Sequence, residues 1–262
     1  MSVRSGLAEA RRRVLRALCR RDVPLGNHGP MVSFSFDDFP RTAYLSGGAI
    51  LQQFGARGTY YTAMGLMNTA NELGEQFRAG DLDALLEKGH ELASHTFRHV
   101  SSRSVSTLAF RADVEKGKSA IEEATGIAPR NFAYPFGHVT LRAKASLETV
   151  LASARSVIPG FNGPAVDLNL LRANSLYGGL EAAARAEDLI LENQRRKSWL
   201  IFYTHDVRRN PSPYGCTPAL LESAVSCAIV AGCRILTIGE ALSEIGVQNG
   251  NAVSQNRKCV TA

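Results

Sequence analysis

The stretch Met31–Pro40, MVSFSFDDFP, is an apolar run that ends abruptly on two acids. A strand that buries Val32, Phe34 and Phe36 has no structural need for adjacent carboxylates at its tip, so Asp37 and Asp38 ask for a chemical explanation. The segments that follow repeat the same plan. RTAYLSGGAILQQFGA reads as a helix closed by Gly55, RGTYYTAM as a strand rich in Thr and Tyr, and 82–87 as a short helix. A short strand at 91–94 and a helix over 106–125, stopped by Gly126, come next. Further strands are expected at NFAY, RSVI, LLRANSL, SWLIFYTH and CRILTI, with helices over 181–196, over 217–230 and from Gly239. Strands separated by helices of this length imply a largely parallel sheet, open or closed into a barrel, with about seven strands between residues 31 and 245. In such folds the chemistry gathers at the carboxyl ends of the strands.

Composition frames this reading. The 262 residues suffice for one large α/β domain, and 45% apolar with 21% charged residues is ordinary globular usage. Residues 1–21 hold seven arginines and one glutamate, which accounts for the whole net charge of +6. The remaining body is neutral, which excludes nucleic acid as the expected partner. The arm SGLAEARRRVLRALCRR reads as a basic amphipathic helix with Leu7, Val14 and Leu18 on one side. Packing on the domain is the favoured role for it, and peripheral contact with an anionic membrane surface through residues 1–21 is the alternative. The five cysteines are scattered, without C-x-x-C spacing, so reduced structural thiols are expected. With neither a secretory signal nor a long apolar run, the expected location is the cytoplasm or the inner face of its membrane. Three parts are expected: residues 1–30 as basic helix and linker, 31–245 as the barrel, and 246–262 as a polar tail.

Three expected strands finish on metal-ligand or acid–base residues. Asp37 and Asp38 end the first, His95 and His99 in SHTFRH end the third, and His205 ends LIFYTH. Two imidazoles and a carboxylate are a common ligand set for a catalytic divalent ion, with zinc the usual choice and Co, Mn, Ni or Fe as alternatives. The same set serves non-haem iron oxygenases. Hydrolysis is favoured here because one acid of the adjacent pair is left to take a proton, while His205 arrives from another strand to give one.

At these residues the chain resembles the polysaccharide deacetylase (NodB-homology, carbohydrate esterase family 4) superfamily. SFDDF stands in place of the family's strand ending T-F-D-D-G, HTFRH meets H-[ST]-x-x-H in full, and LIFYTH is similar to the family's L-x-x-H strand. The resemblance implies a distorted (β/α)7-type barrel, with Asp37 as general base, Asp38, His95 and His99 as metal ligands, and His205 as general acid. The GHELASHT lead-in is also typical, and His90 within it reads as structural. Pro135, Phe136 and Gly137 would form the groove wall that binds substrate.

Two positions depart from the family pattern. The arginine expected just before P-[YF]-G, which would pair with the base aspartate, is replaced by Ala133 in RNFAYPFG. Arg130 lies too early, and Arg172 is the expected substitute. The D-W motif that would orient the acid histidine has no clean match, leaving Asp167 as a candidate by position and Trp199 as core. Phe39, standing where the family has glycine, is expected to alter approach to the base. The implied activity is metal-dependent removal of an acyl group, most simply acetyl, from an N-acylated amino sugar, a cytoplasmic intermediate of surface-glycan assembly. Family members acting on a ureide or formamide, and a non-catalytic carbohydrate-binding homologue, are the alternatives.

Overall fold

The structure is a computed structural model that describes residues 3–247, with side chains from residue 9 onward. The expected polar tail lies, from residue 248, outside the described residues. In chain order the elements are α1 (Val3–Ala17), β1 (Asp22–Pro24), β2 (Met31–Asp37), α2 (Ala49–Gln53), β3 (Thr59–Thr62), β4 (Ala70–Asn71), β5 (Gly74–Glu75), α3 (Ala79–Glu87), β6 (Glu91–Ser94) and α4 (Thr107–Thr125). They continue as β7 (Asn131–Ala133), α5 (Leu141–Ser146), β8 (Ser153–Arg155), β9 (Ala165–Asp167), β10 (Asn174–Ser175), α6 (Ala183–Arg196), β11 (Trp199–Thr204), α7 (Pro218–Val230), β12 (Arg234–Ile235) and α8 (Ile238–Glu244).

The main sheet runs β10-β11-β2-β3-β6-β7-β8, every neighbour parallel, and curls into a half-barrel. β12 adds an eighth strand, pairing with Met31 and Val32 at the start of β2, whereas β3 pairs with Ser35–Asp37 at its end. An isolated parallel bridge between Arg155 and Leu171 ties β8 to the segment that leads into β10. The expectation of a distorted (β/α) barrel holds.

β2 is buried along its whole length, as a central parallel strand covered on both faces must be. Its two faces differ in chemistry. Val32, Phe34 and Phe36 point outward into the layer shared with α2, α6 and α7, where they join Leu51, Ile190, Leu221 and Val225. Met31 packs inside the barrel with Tyr61, Ala93, Ala133, Trp199 and Ile201. Because side chains alternate, the inward row of β2 reads Met31, Ser33, Ser35, Asp37. Within it Ser33 accepts the indole N–H of Trp199 at 2.9 Å, and Ser35 donates to the Phe202 carbonyl at 2.8 Å. The same parity on β11 gives Trp199, Ile201, Tyr203 and then His205. The inward rows are apolar or self-satisfied below and carry ionisable groups at the top.

α1 lies on the barrel through Leu15, which is buried among Phe110, Val114, Tyr134 and Leu147. Its last carbonyls, orphaned by the end of the helix, are met by Lys144. The ammonium donates to the carbonyls of Leu15 and Leu18 at 2.8 Å each and pairs with Asp167 at 2.7 Å, wholly buried. A cation at a helix C-terminus also complements the dipole there. Cys216, Cys227 and Cys233 are free thiols, as expected, whereas Cys19 is disulfide-bonded. Among the described residues no helix is long and apolar enough to cross a membrane.

Candidate active site

Asp37 closes the inward row of β2, and the chain then turns sharply. Asp38 and Phe39 follow at φ 64° and 62°, a region that side-chain-bearing residues enter at a cost. Phe39 is anchored there by burial: its ring stacks on Phe77 at 5.1 Å and packs on Tyr60 at 5.1 Å. It therefore faces the core and lines no approach to Asp37, contrary to the expectation drawn from its replacing glycine. The turn swings the Asp38 carboxylate toward His95 and His99. Its Oδ1 lies 3.5 Å from His95 Nε2 and 3.0 Å from His99 Nε2.

His95 ends the inward row of β6 and is 2% exposed. Its Nδ1–H donates to the Ala133 carbonyl at 2.7 Å, which fixes the tautomer and leaves a bare lone pair on Nε2. His99 sits in a loop held from α4. Buried Asp113 accepts the backbone N–H groups of Phe97 and Arg98 at 3.0 and 2.9 Å. Gly117 lets that helix approach, since a Cβ there would meet the Thr96 carbonyl at 2.7 Å. The loop thus cannot drift from the Asp38 carboxylate.

These three side chains present ligand atoms all within 4.8 Å of one another. Asp38 Oδ1 is buried with no hydrogen-bond partner, and it faces an unprotonated nitrogen of His95. Burial, with Asp37 and Glu72 adding to it, raises Asp38 to about 6, against the pull of His205. Burial also lowers His95 to about 3, aided by His99, so the imidazole is neutral. Acceptors converging on one point without a donor between them are what a divalent cation requires. The donor set fits the expected ion.

The arginine is where the sequence reading fails. Arg155, at the top of the inward row of β8 and 1% exposed, donates through Nη2 to both oxygens of Asp37, at 2.5 and 2.6 Å. Its guanidinium lies between the rings of Tyr61 and Tyr203, 4.8 and 5.0 Å away. Burial alone would raise Asp37. Arg155 outweighs it, together with His95 and His205, and holds the carboxyl below the usual range. Arg172 does none of this. It lines a cavity of about 680 Å³ with Arg16, Arg20, Phe161, Asn162 and Ser198, beside the start of β11 and so at the opposite end of the strands from Asp37. The 160–164 loop lines that same distant cavity.

His205 continues the inward row of β11 just past its end. Its Nδ1–H donates to the Tyr214 carbonyl at 3.1 Å, so Nε2 is the free nitrogen. Asp167 plays no part, being engaged with Lys144 and the backbone N–H of Arg21. The 206–216 loop is shaped instead by fully buried Asp206, which accepts from the Ser212 N–H and the Ser212 hydroxyl at 2.9 and 2.5 Å and forms an ion pair with Arg208 at 2.6 Å. Of the expected wall, Pro135 is buried and Gly137 takes φ 61°, where a Cβ would collide with Val157. Phe136 is 60% exposed, its ring 4.5 Å from that of His99. Tyr177 stands on the other side, 6.2 Å from the His205 ring. His90 is structural: its Nδ1 accepts the Gly58 N–H at 3.0 Å. Trp199 is core, as expected.

The family model for polysaccharide deacetylases matches residues 9–151, more than half of the sequence, and the chain belongs to that family. No curated protein matches the sequence. Solved structures share its fold. One is the Xyl-CE4 domain of a multidomain xylanase from the hindgut metagenome of Trinervitermes trinervoides, at 16% identity and TM-score 0.57 over 84% of this chain and 92% of that one. A family 4 acetyl xylan esterase from Clostridium thermocellum, in complex with a cobalt ion, aligns at 19% identity and TM-score 0.56 over 81% and 90%. A CE4-family pseudoenzyme from Bacillus anthracis aligns at 15% identity and TM-score 0.53 over 83% and 67%. The fold and family place the chain among hydrolases of amide or ester bonds.

Proposed function

We propose that the chain is a metal-dependent deacetylase that hydrolyses the amide of an N-acylated amino sugar. The observation that carries the reading is the Asp38–His95–His99 cluster, with an ionised carboxylate and a free imidazole nitrogen beside it. A divalent ion held by these three residues would supply Lewis acidity toward the acyl carbonyl. Asp37, kept as a carboxylate by Arg155, takes a proton from the attacking water as oxygen bonds to the acyl carbon. His205, entering this step as the imidazolium, gives its Nε2 proton to the nitrogen as the C–N bond breaks, and the proton taken up by Asp37 restores the balance. The products are a carboxylic acid and a free amine. Phe136 and Tyr177 offer aromatic surface on either side for the sugar ring.

The test is release of acetate from N-acetylglucosamine oligomers by protein supplied with zinc or cobalt, with bound metal counted in parallel. About one equivalent of metal, lost in His95→Ala and His99→Ala, together with acetate release supports the reading. Metal bound with no acyl release from any N-acetylated glycan, ureide or formamide points to the non-catalytic homologue.

A further inference from the structure

The described arginines are mostly paired with carboxylates, but three that converge on one groove are not. Arg11, Arg12 and Arg103 line a cavity of about 420 Å³ with Phe136, His138 and Val157. Among the described residues no carboxylate pairs with any of the three. Burial aside, the charge felt most by Arg103 is that of Arg11, another cation. Both arginines act on His138 in the same sense.

The groove is built. Arg11 donates to the Val139 carbonyl at 2.8 Å, which fastens α1 along one side. The Ser101 hydroxyl meets His138 Nδ1 at 2.8 Å, and Ser102 donates to the His138 carbonyl at 2.7 Å. The groove also adjoins the site already described. Phe136 is the shared wall, its ring 4.5 Å from His99 on one side and 5.6 Å from His138 on the other. A glycan whose acylated sugar reaches the Asp38–His95–His99 cluster would lay its neighbouring unit across Phe136 toward these cations.

Like charges held together in a concavity raise the local concentration of the opposite sign. We propose that this groove is an anion subsite, selecting glycans that carry a carboxylate or phosphate on the unit next to the N-acylated amino sugar. The inference rests on the deacetylase reading for the identity of that sugar. It assigns a task to α1, which reaches the rim of the site through its arginines. Planar guanidinium groups match either anion in two-point geometry.

The experiment measures binding by calorimetry in an Asp37→Asn background, so that no probe is consumed. The probes are a neutral N-acetylglucosamine tetramer, a hyaluronan tetrasaccharide bearing glucuronate, and a 6-phosphorylated N-acetylglucosamine oligomer. At least one charged probe is expected to bind about tenfold tighter than the neutral one, the ~1.4 kcal/mol that two or three exposed ion pairs supply together. The advantage should shrink as salt is raised. Arg12→Glu with Arg103→Glu should remove it and leave the neutral probe unchanged; whichever probe shows it identifies carboxylate or phosphate. Equal binding, no binding of either charged probe, or a preference that survives the double variant overturns the proposal. So does loss of binding to anionic lipid vesicles as the only effect of that variant, which would make the groove a membrane contact. Acetate release by the wild type is scored separately, so failure of the deacetylase reading is told apart from failure of the subsite.

Discussion

Two stretches of the barrel build one site by different means. Residues 31–137 contribute Asp37, Asp38, His95, His99 and the Phe136 wall, all at positions that the family pattern marks. Residues 153–216 contribute Arg155 and His205, with support that no residue type announces. The family match ends at residue 151, four positions before Arg155. Yet the geometry of the two stretches is the same. Asp37, His95, Arg155 and His205 each stand at or just beyond the top of an inward row, on β2, β6, β8 and β11. Position in the row is common to both stretches, and residue type is diagnostic throughout the first but in the second only for His205, not for Arg155. Where chemistry needs a ligand atom or a proton carrier, the sequence displays it. Where a backbone carbonyl suffices, as Ala133 for His95 and Tyr214 for His205, any residue can stand there.

The largest effect expected falls on the first stretch. Asp37→Asn should lower turnover by about 10²–10⁴ with metal content held, because the proton acceptor is removed. It should also lower the unfolding midpoint, because Arg155 is left as a buried cation without its partner. Full turnover in that variant would refute the base assignment. The second stretch is tested by setting Arg155 against Arg172. Arg155→Ala leaves Asp37 as a buried carboxylate without its partner, a change costing about 3–5 kcal/mol in denaturant unfolding. Arg172→Ala, in a cavity at the far end of the strands, should cost less than about 0.5 kcal/mol and leave turnover intact. Equal losses in the two variants would erase the distinction between them.

That distinction also shows what the sequence could not disclose. The alternation of strand and helix, the burial of β2 and the Asp38–His95–His99 cluster were legible because burial and ligand chemistry restrict residue type. β8 was not. Its residues are Ser153, Ala154 and Arg155, while the more apolar RSVI beside it suggested a strand beginning at Arg155. A register error of two residues moves that arginine from the top of the strand to the bottom. An arginine inside a buried parallel strand was the available signal, since such a residue is rarely fully buried without a partner. β1 and β9, which pair with each other outside the main sheet, passed unnoticed because three residues show no period. Asp167 was drawn toward His205 by position alone, when its partner Lys144 could be known only once α1 was docked.

The support for His205 should give a smaller effect. Asp206→Ala removes the acceptor around which the 206–216 loop is folded, and so loosens the Tyr214 carbonyl that aims the imidazole. Turnover should fall about tenfold with metal affinity unchanged, since a misplaced proton donor costs rate without touching the cluster. Reduced metal binding instead would mean that the two stretches are coupled through more than the bound substrate.

The smallest effect concerns a histidine in the legible stretch that takes no part in the chemistry. His90 is buried against Tyr44 and Tyr60 with Nδ1 occupied by the Gly58 N–H, and burial lowers it to about 4, with Lys88 and Arg57 adding to the shift. A base whose folded pKa lies below its ordinary 6.5 binds fewer protons folded than unfolded in the interval between. Its contribution to stability is therefore complete above pH 6.5 and is lost as pH falls toward and through 4. His90→Gln can still accept the Gly58 N–H through its amide oxygen but has nothing to titrate. The variant's unfolding free energy should fall less steeply than the wild type's over that window, by on the order of 1 kcal/mol, with turnover and metal content unchanged. A variant that instead loses metal would place His90 among the functional groups and undo the separation of a typical lead-in motif from the residues that act.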